Sequence, residues 1–216
     1  MAASRPRVIL SAAVSIDGKI ATRRGDSALS SKKDKIRLHK VRSKVDAILV
    51  GRNTVRVDDP LLTVRYARGK NPTRVVLDSR ARISTKSQII KTAKNVPTII
   101  AVSAKAPKKN LQRLEEHSTK IIIAGRSNID LKRLLTLLKK ENIKTVLVEG
   151  GGTLNWEFIR QGLVDELIVT ITPHLVGGRD AVTLVEGVGF AKIADSLKLN
   201  LRKITKQGDE VVLHYI

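Results

Sequence analysis

A chain of 216 residues, 42% hydrophobic and carrying a net charge of +21, is long enough to bury one large core or two small ones. It has no cysteine, which excludes disulfides, thiolate zinc sites and cysteine nucleophiles and fits a cytoplasmic protein. No apolar run approaches the ~20 residues of a membrane span, and Met1-Ala2-Ala3-Ser4-Arg5-Pro6-Arg7 adjoins no long apolar segment with a cleavage site, so no signal peptide is read.

Arg7–Val14 is a first strand, and Asp17-Gly18-Lys19-Ile20 turns out of it. Ser31-Lys32-Lys33-Asp34 has the form of a capping box with Asp in the acid position, opening a helix to about Ser43. Strands follow at 46–50, 73–77 and 97–102. Gly51 ends the first of these, and Thr54 begins a short helical turn. Asp58-Asp59-Pro60 stops that turn, because the residue before a proline is pushed out of the helical region. Thr63 and Arg65 then lie in a strand-like segment that projects both to one face.

A helix near 108–116 leads to a strand at 120–124. Asp130 caps an amphipathic helix with Leu131, Leu134, Leu135 and Leu138 on one face. Thr145–Val148 is a buried strand, Leu154–Gln161 a helix, and Leu167–Thr172 a strand stopped by Pro173. The final segments, near 197–205 and 210–216, have no helix between them, so Gln207-Gly208-Asp209 reads as a hairpin turn. Such alternation predicts an α/β fold: a mostly parallel sheet with helices on both faces and an antiparallel C-terminal hairpin, in a single domain over 1–216.

Three strand ends carry chemistry. The run Gly51-Arg52-Asn53-Thr54-Val55-Arg56-Val57-Asp58-Asp59-Pro60-Leu61-Leu62-Thr63-Val64-Arg65 places a hydroxyl, carboxylates and arginines where open α/β sheets bind ligands. Arginine there suits phosphate, since its planar fork meets oxyanions in pairs. Val148-Glu149-Gly150-Gly151-Gly152-Thr153-Leu154 sets three glycines between a strand and a helix. Glycine lets backbone approach a ligand, and a helix N-terminus offers N–H groups to a phosphate. The pattern matches neither G-x-G-x-x-G nor the NTPase loop, and a tight turn is its bland reading. In Val76-Leu77-Asp78-Ser79-Arg80, Ser79 and Arg80 suit a 2′-phosphate, with a basic β-turn as the alternative.

The four histidines are widely spaced, with no i, i+4 pair, so no metal site is expected. Residues 1–120 hold 28 Lys and Arg against 9 Asp and Glu, and residues 121–216 hold 13 against 11. A basic half gathers polyanions, dinucleotides and sugar phosphates included. Specific nucleic-acid binding is not expected, because one Trp, two Tyr and two Phe supply too few rings for base stacking.

These motifs, with Ser15-Ile16-Asp17-Gly18 and Gly162-Leu163-Val164-Asp165-Glu166-Leu167, resemble the reductase family of riboflavin biosynthesis over nearly the whole chain. That family comprises the C-terminal domain of the bacterial bifunctional deaminase-reductase and the stand-alone archaeal and fungal enzymes. The resemblance implies a dihydrofolate-reductase-like fold and a homodimer. It also implies reduction of the ribosyl chain of 2,5-diamino-6-(ribosylamino)pyrimidin-4-one 5′-phosphate to a ribityl chain by NADPH, with NADH as the alternative. The chain lacks the cysteines and the room of a deaminase half, which points to the free-standing, archaeal and fungal type. The deaminated substrate 5-amino-6-(ribosylamino)uracil 5′-phosphate stays open. A nucleic-acid binder on the same scaffold and a dihydrofolate reductase proper are other readings, and the glycine loop and the D-D-P-x-L-T-x-R run argue against both.

Carried across residue by residue, the resemblance implies cofactor contacts at Ala13, Val14, Thr54, Asp58, Ser79, Arg80, Gly150, Gly151, Gly152, Thr153 and Leu154. It implies substrate contacts at Ser27, Arg42, Leu62, Arg65 and Glu149. Leu29 stands where a bacterial member has an aromatic residue. No dominant general acid is expected. Lys19 and Glu149 are candidate proton handlers, with binding the preferred role for each.

Overall fold

The computed structural model describes residues 5–216. In chain order it runs β1 (Arg7–Val14), β2 (Lys19–Ala21), α1 (Lys32–Arg42), β3 (Ala47–Gly51), α2 (Arg52–Asp58), β4 (Thr73–Leu77), α3 (Gln88–Lys91) and β5 (Thr98–Val102). It continues with α4 (Lys108–Glu115), β6 (Lys120–Ile123), α5 (Leu131–Lys140), β7 (Thr145–Val148), α6 (Gly152–Arg160), β8 (Glu166–Ile171), β9 (Val182–Thr183), β10 (Leu201–Gln207) and β11 (Glu210–Tyr215). The chain divides into two compact units. One is His39–Leu147 with the chain up to Arg7, and the other is Val8–Leu38 with Val148–Ile216.

In the first unit the strand order is β7-β3-β4-β5-β6. β3, β4, β5 and β6 pair in parallel, with Gly51 beside Leu77 and Leu77 beside Ala101. The connections after these strands therefore leave from one end of the sheet. Ala47, Ile48, Leu49 and Val50 are fully buried, as are Val75, Val76 and Ile100, which suits parallel strands covered on both faces. The Asp130 carboxylate accepts from the Arg133 N–H at 3.0 Å and opens α5, whose four expected leucines are all buried.

The second unit orders its strands β10-β11-β8-β1. β1 and β8 are parallel, whereas β11 runs antiparallel to both β8 and β10. A separate two-stranded ribbon joins β2 to β9. The hairpin turns at Gly208, whose φ of +68° glycine adopts without strain.

Several boundaries differ from the sequence reading for local reasons. α2 begins at Arg52, two residues before Thr54, because Gly51 is extended and serves as its N-cap. It stops as expected: Asp59, ahead of Pro60, takes the left-handed conformation at φ +39°. α6 likewise starts at Gly152 rather than Leu154. The capping box of α1 is half formed. Ser31 Oγ accepts from the Asp34 N–H at 3.1 Å, but the N–H of Ser31 donates to Glu210 at 2.8 Å. Asp34 is too short to reach back and instead accepts from Ser30, Arg37 and Thr170. The strand-like segment around Thr63 and Arg65 is not a strand. Residues 59–65 form no ladder, and Leu62 sits at φ +51°. The short α3, β2 and β9 were not foreseen, since four residues or fewer carry no periodicity.

Arg74, in β4, is fully buried. Its guanidinium donates to Thr98 Oγ1 and Thr92 Oγ1 and to the carbonyls of Leu61, Ile89 and Val96, at 2.6–3.2 Å. Burial pushes its pKa down to about 10, so it stays charged at neutral pH. The five-donor fork meets neutral oxygens on every side, and one of them, Leu61, belongs to the connection after α2.

Candidate active site

In the first unit the connection after α2 is held by side chains from elsewhere. Asp59 Oδ1 accepts from the Gln88 N–H at 2.8 Å and so caps α3. Arg74 takes the Leu61 carbonyl at 3.2 Å. Arg42 Nη1 donates to the Thr63 carbonyl at 3.1 Å, and Asn71 Oδ1 accepts from the Val64 N–H at 2.8 Å. The buried His39 ring accepts at Nδ1 from the N–H groups of Arg65, at 2.8 Å, and Tyr66, at 3.3 Å. Of the sequence candidates, Arg42 and Leu62 are buried, Thr54 is half-buried, and Asp58 and Arg65 are exposed. Arg42 and the Arg65 backbone thus meet around His39, which the sequence reading did not single out. A histidine three residues before an assigned arginine on one helix was the available signal.

The end of β4 is organised by Asp78, not by the candidates beside it. Its buried carboxylate accepts from the Ile83 N–H at 2.6 Å and lies 3.9 Å from Arg52 Nε. Ser79 gives its carbonyl to the Ser103 N–H and hydroxyl. Arg80 Nη1 donates to the Lys105 carbonyl at 2.7 Å, leaving the rest of its fork half-buried. The turn reading and the anion-site reading are therefore compatible at this place.

In the second unit Gly151 is the N-cap of α6, with φ +106° and no capping side chain. The first N–H groups of a helix lack intrahelical acceptors and point at any anion set there. The flanking glycines answer to the protein itself. A Cβ on Gly152 would lie 2.5 Å from the Thr183 carbonyl and from Glu186 Cγ, and one on Gly150 would lie 2.9 Å from Leu154 Cδ2. Thr153 Oγ1 donates to Glu186 Oε2 at 3.0 Å, so a carboxylate of the chain already lies at this helix head. Glu149 and Leu154 are half-buried.

Elsewhere in that unit, Ala13 and Val14 end β1, and the Val14 carbonyl accepts from both the N–H and the hydroxyl of Thr172. Ser27 is exposed on the loop before α1. Lys19 Nζ reaches the Ala181 carbonyl at 3.4 Å. Asp17 takes the N–H groups of Val176 and Gly177 and the Ser15 hydroxyl, and the Val176 bond leads in lowering its pKa to about 2. The S-x-D-G motif therefore ties a turn to a loop. Asp165 of G-L-V-D-E-L accepts from the Val8 N–H at 2.8 Å, and β8 lies between β11 and β1. Among the described residues no three His, Asp or Glu side chains assemble as a metal site, and no helix is long and apolar enough to cross a membrane.

Residues 6–213 match the model of the RibD C-terminal domain. The chain belongs to that family. It is 42% identical to the 2,5-diamino-6-ribosylamino-4(3H)-pyrimidinone 5′-phosphate reductase of Aquifex aeolicus, over 98% of this chain and 96% of that one. With the reductase of the same name from Methanothermobacter thermautotrophicus it shares 43% identity, over 98% of each. A solved RibD of Acinetobacter baumannii superposes with a TM-score of 0.86 at 26% identity; all of this chain is covered, but only 59% of that longer one. A dihydrofolate reductase of Enterococcus faecalis, at 11% identity over 97% of this chain and 95% of its own, shares the fold with a TM-score of 0.51. The RibD C-terminal fold is thus a dihydrofolate-reductase-like α/β fold, as the family resemblance implied.

Proposed function

We propose that this RibD C-terminal family member acts as one reductase domain of riboflavin biosynthesis. Its substrate is 2,5-diamino-6-(ribosylamino)pyrimidin-4-one 5′-phosphate, and its cofactor is NADPH. The observation that carries this reading is the end-to-end 42% identity with a reductase named for that substrate. The reading includes a homodimer in the cytoplasm.

The residues present fit a dinucleotide phosphate. In the second unit Gly151 carries positive φ as the N-cap of α6, and in the first unit Thr54, Ser79 and Arg80 offer hydroxyls and a guanidinium. Gly150, Gly151 and Gly152 bring backbone to the phosphate, with the Cβ side of Gly150 and Gly152 filled by the chain itself. Asp58, Thr153 and Leu154 complete the cofactor contacts, with Ala13 and Val14 beside the nicotinamide. When bound, the reduced nicotinamide supplies a hydride to ribose C1′ of the ring-opened imine. Arg42 and Arg65 hold the substrate's 5′-phosphate by charge-assisted bonds. Ser27, Leu62 and Glu149 orient the remainder, so the protein contributes alignment and dryness.

A second reading, reduction of the deaminated uracil, has support in the likeness to a solved Thermotoga maritima protein described as a deaminase and 5-amino-6-(5-phosphoribosylamino)uracil reductase, with a TM-score of 0.80 at 27% identity over 98% of this chain and 56% of that one. The test is NADPH oxidation with each pyrimidine side by side, and mass spectrometry of the products. A gain of two hydrogens on the diamino compound is expected. Gain on the uracil alone selects the second reading, and gain on neither overturns both.

A further inference from the structure

His39 lies on the last turn of α1 and is 3% exposed. Its Nδ1 faces two backbone donors, the N–H groups of Arg65 and Tyr66. A ring nitrogen that receives two N–H bonds must present its lone pair, so the neutral ring carries its proton on Nε2. Nε2 lies 3.4 Å from Arg42 Nη1, a spacing between two donors rather than a hydrogen bond. The ring also packs edge-on against Tyr66, with centroids 4.8 Å apart. Arg42 in turn holds the Thr63 carbonyl. One imidazole therefore touches Arg42 and fixes the peptide of Arg65. It does so in a segment with no ladder of its own and with Leu62 in left-handed backbone, which a side-chain-bearing residue adopts only at a cost.

We propose that His39 is a positioning residue: as the neutral Nε2–H tautomer, it sets the backbone from which Arg65 reaches the substrate's phosphate. The role is one of placement, since Nδ1 is occupied by two backbone N–H groups of the protein. It rests on the substrate reading above, and it predicts a histidine selected for the acceptor at Nδ1 rather than for charge.

The test compares His39→Leu, which keeps bulk and removes the acceptor, with His39→Asn, whose Oδ1 replaces Nδ1. Two quantities are read: hydrogen exchange at the Arg65 and Tyr66 amides, and KM against kcat for the pyrimidine phosphate. In His39→Leu both amides should exchange about tenfold faster or more, and KM should rise about tenfold with kcat within about twofold of wild type. His39→Asn should recover most of both. Arg65→Ala should raise KM roughly ten- to a hundredfold yet keep the residue 65 amide protected, because the imidazole bond survives. Unchanged protection of both amides in folded His39→Leu overturns the proposal, as does a loss in kcat at constant KM. Amide exchange needs no turnover, so an enzyme inactive on both pyrimidines would sink the substrate reading while exchange still decided the role of His39.

Discussion

The connection after α2 and the glycine turn after β7 are both irregular backbone, and they are held in opposite ways. Between Asp59 and Tyr66 the peptide groups and side chains find partners far along the sequence, Gln88, Arg74, Arg42 and His39, and a nearer one in Asn71. At Gly150–Gly152 the fit comes from missing side chains, with Leu154, Thr183 and Glu186 filling the space. A loop built on reach depends on a few polar groups and falls with them. A loop built on absence tolerates nothing larger, whatever its chemistry.

The sharpest way to break the first loop is Arg74→Met. Removing the fork strands several buried oxygens at once, so unfolding free energy should fall by about 3–5 kcal/mol, measured by urea denaturation. A loss below about 1 kcal/mol would mean that water or rearrangement replaces those bonds. Gly152→Ala addresses the second loop. Its methyl group meets the Thr183 carbonyl, so a loss of about 1–3 kcal/mol is expected, with NADPH affinity of the folded fraction nearly unchanged. A stable variant with weakened NADPH binding would instead place the cofactor against Gly152.

The smallest effect concerns Asp17, where a carboxylate does in the second unit what arginine and histidine do in the first. Its folded pKa of about 2 lies below the ordinary 3.8, so its contribution is present above about pH 4 and disappears as pH falls through 2. The side chain is exposed, which keeps the contribution small. Asp17→Asn should melt slightly below wild type near pH 6, and the gap should close by about pH 2. A gap that stays constant across that range would assign the effect to something other than charge.

Much of this was readable from sequence where one local rule decides the outcome. The leucine stripe and Asp130 cap of α5 and the stop at Asp59-Pro60 appear as expected. The glycine run also opens a helix as read, though two of its glycines serve internal packing. What escaped depends on partners distant in sequence. Asp34 looks like a capping acid until Thr170 claims it. Thr63 and Arg65 alternate like a strand until the bonds to Arg42 and His39 give that backbone another conformation. His39 carries no motif, and its part emerges only when residues 26 positions apart are brought together.

The strand β10 has a consequence for how copies of the protein behave in crowded solution. It ends the strand order of its unit, and Leu201 and Ile204 stand exposed on it at 48% and 60%. An open strand edge with apolar side chains invites pairing with any other edge, the usual start of aggregation. Arg202, Lys203 and Lys206 lie on the same seven residues, and no acid accompanies them. Two such edges brought together would crowd six cations, so like charge guards the sheet where backbone pairing alone would leave it sticky. Like charge on β10 therefore opposes the pairing of two copies along that edge, an effect of the positive charge that involves no ligand.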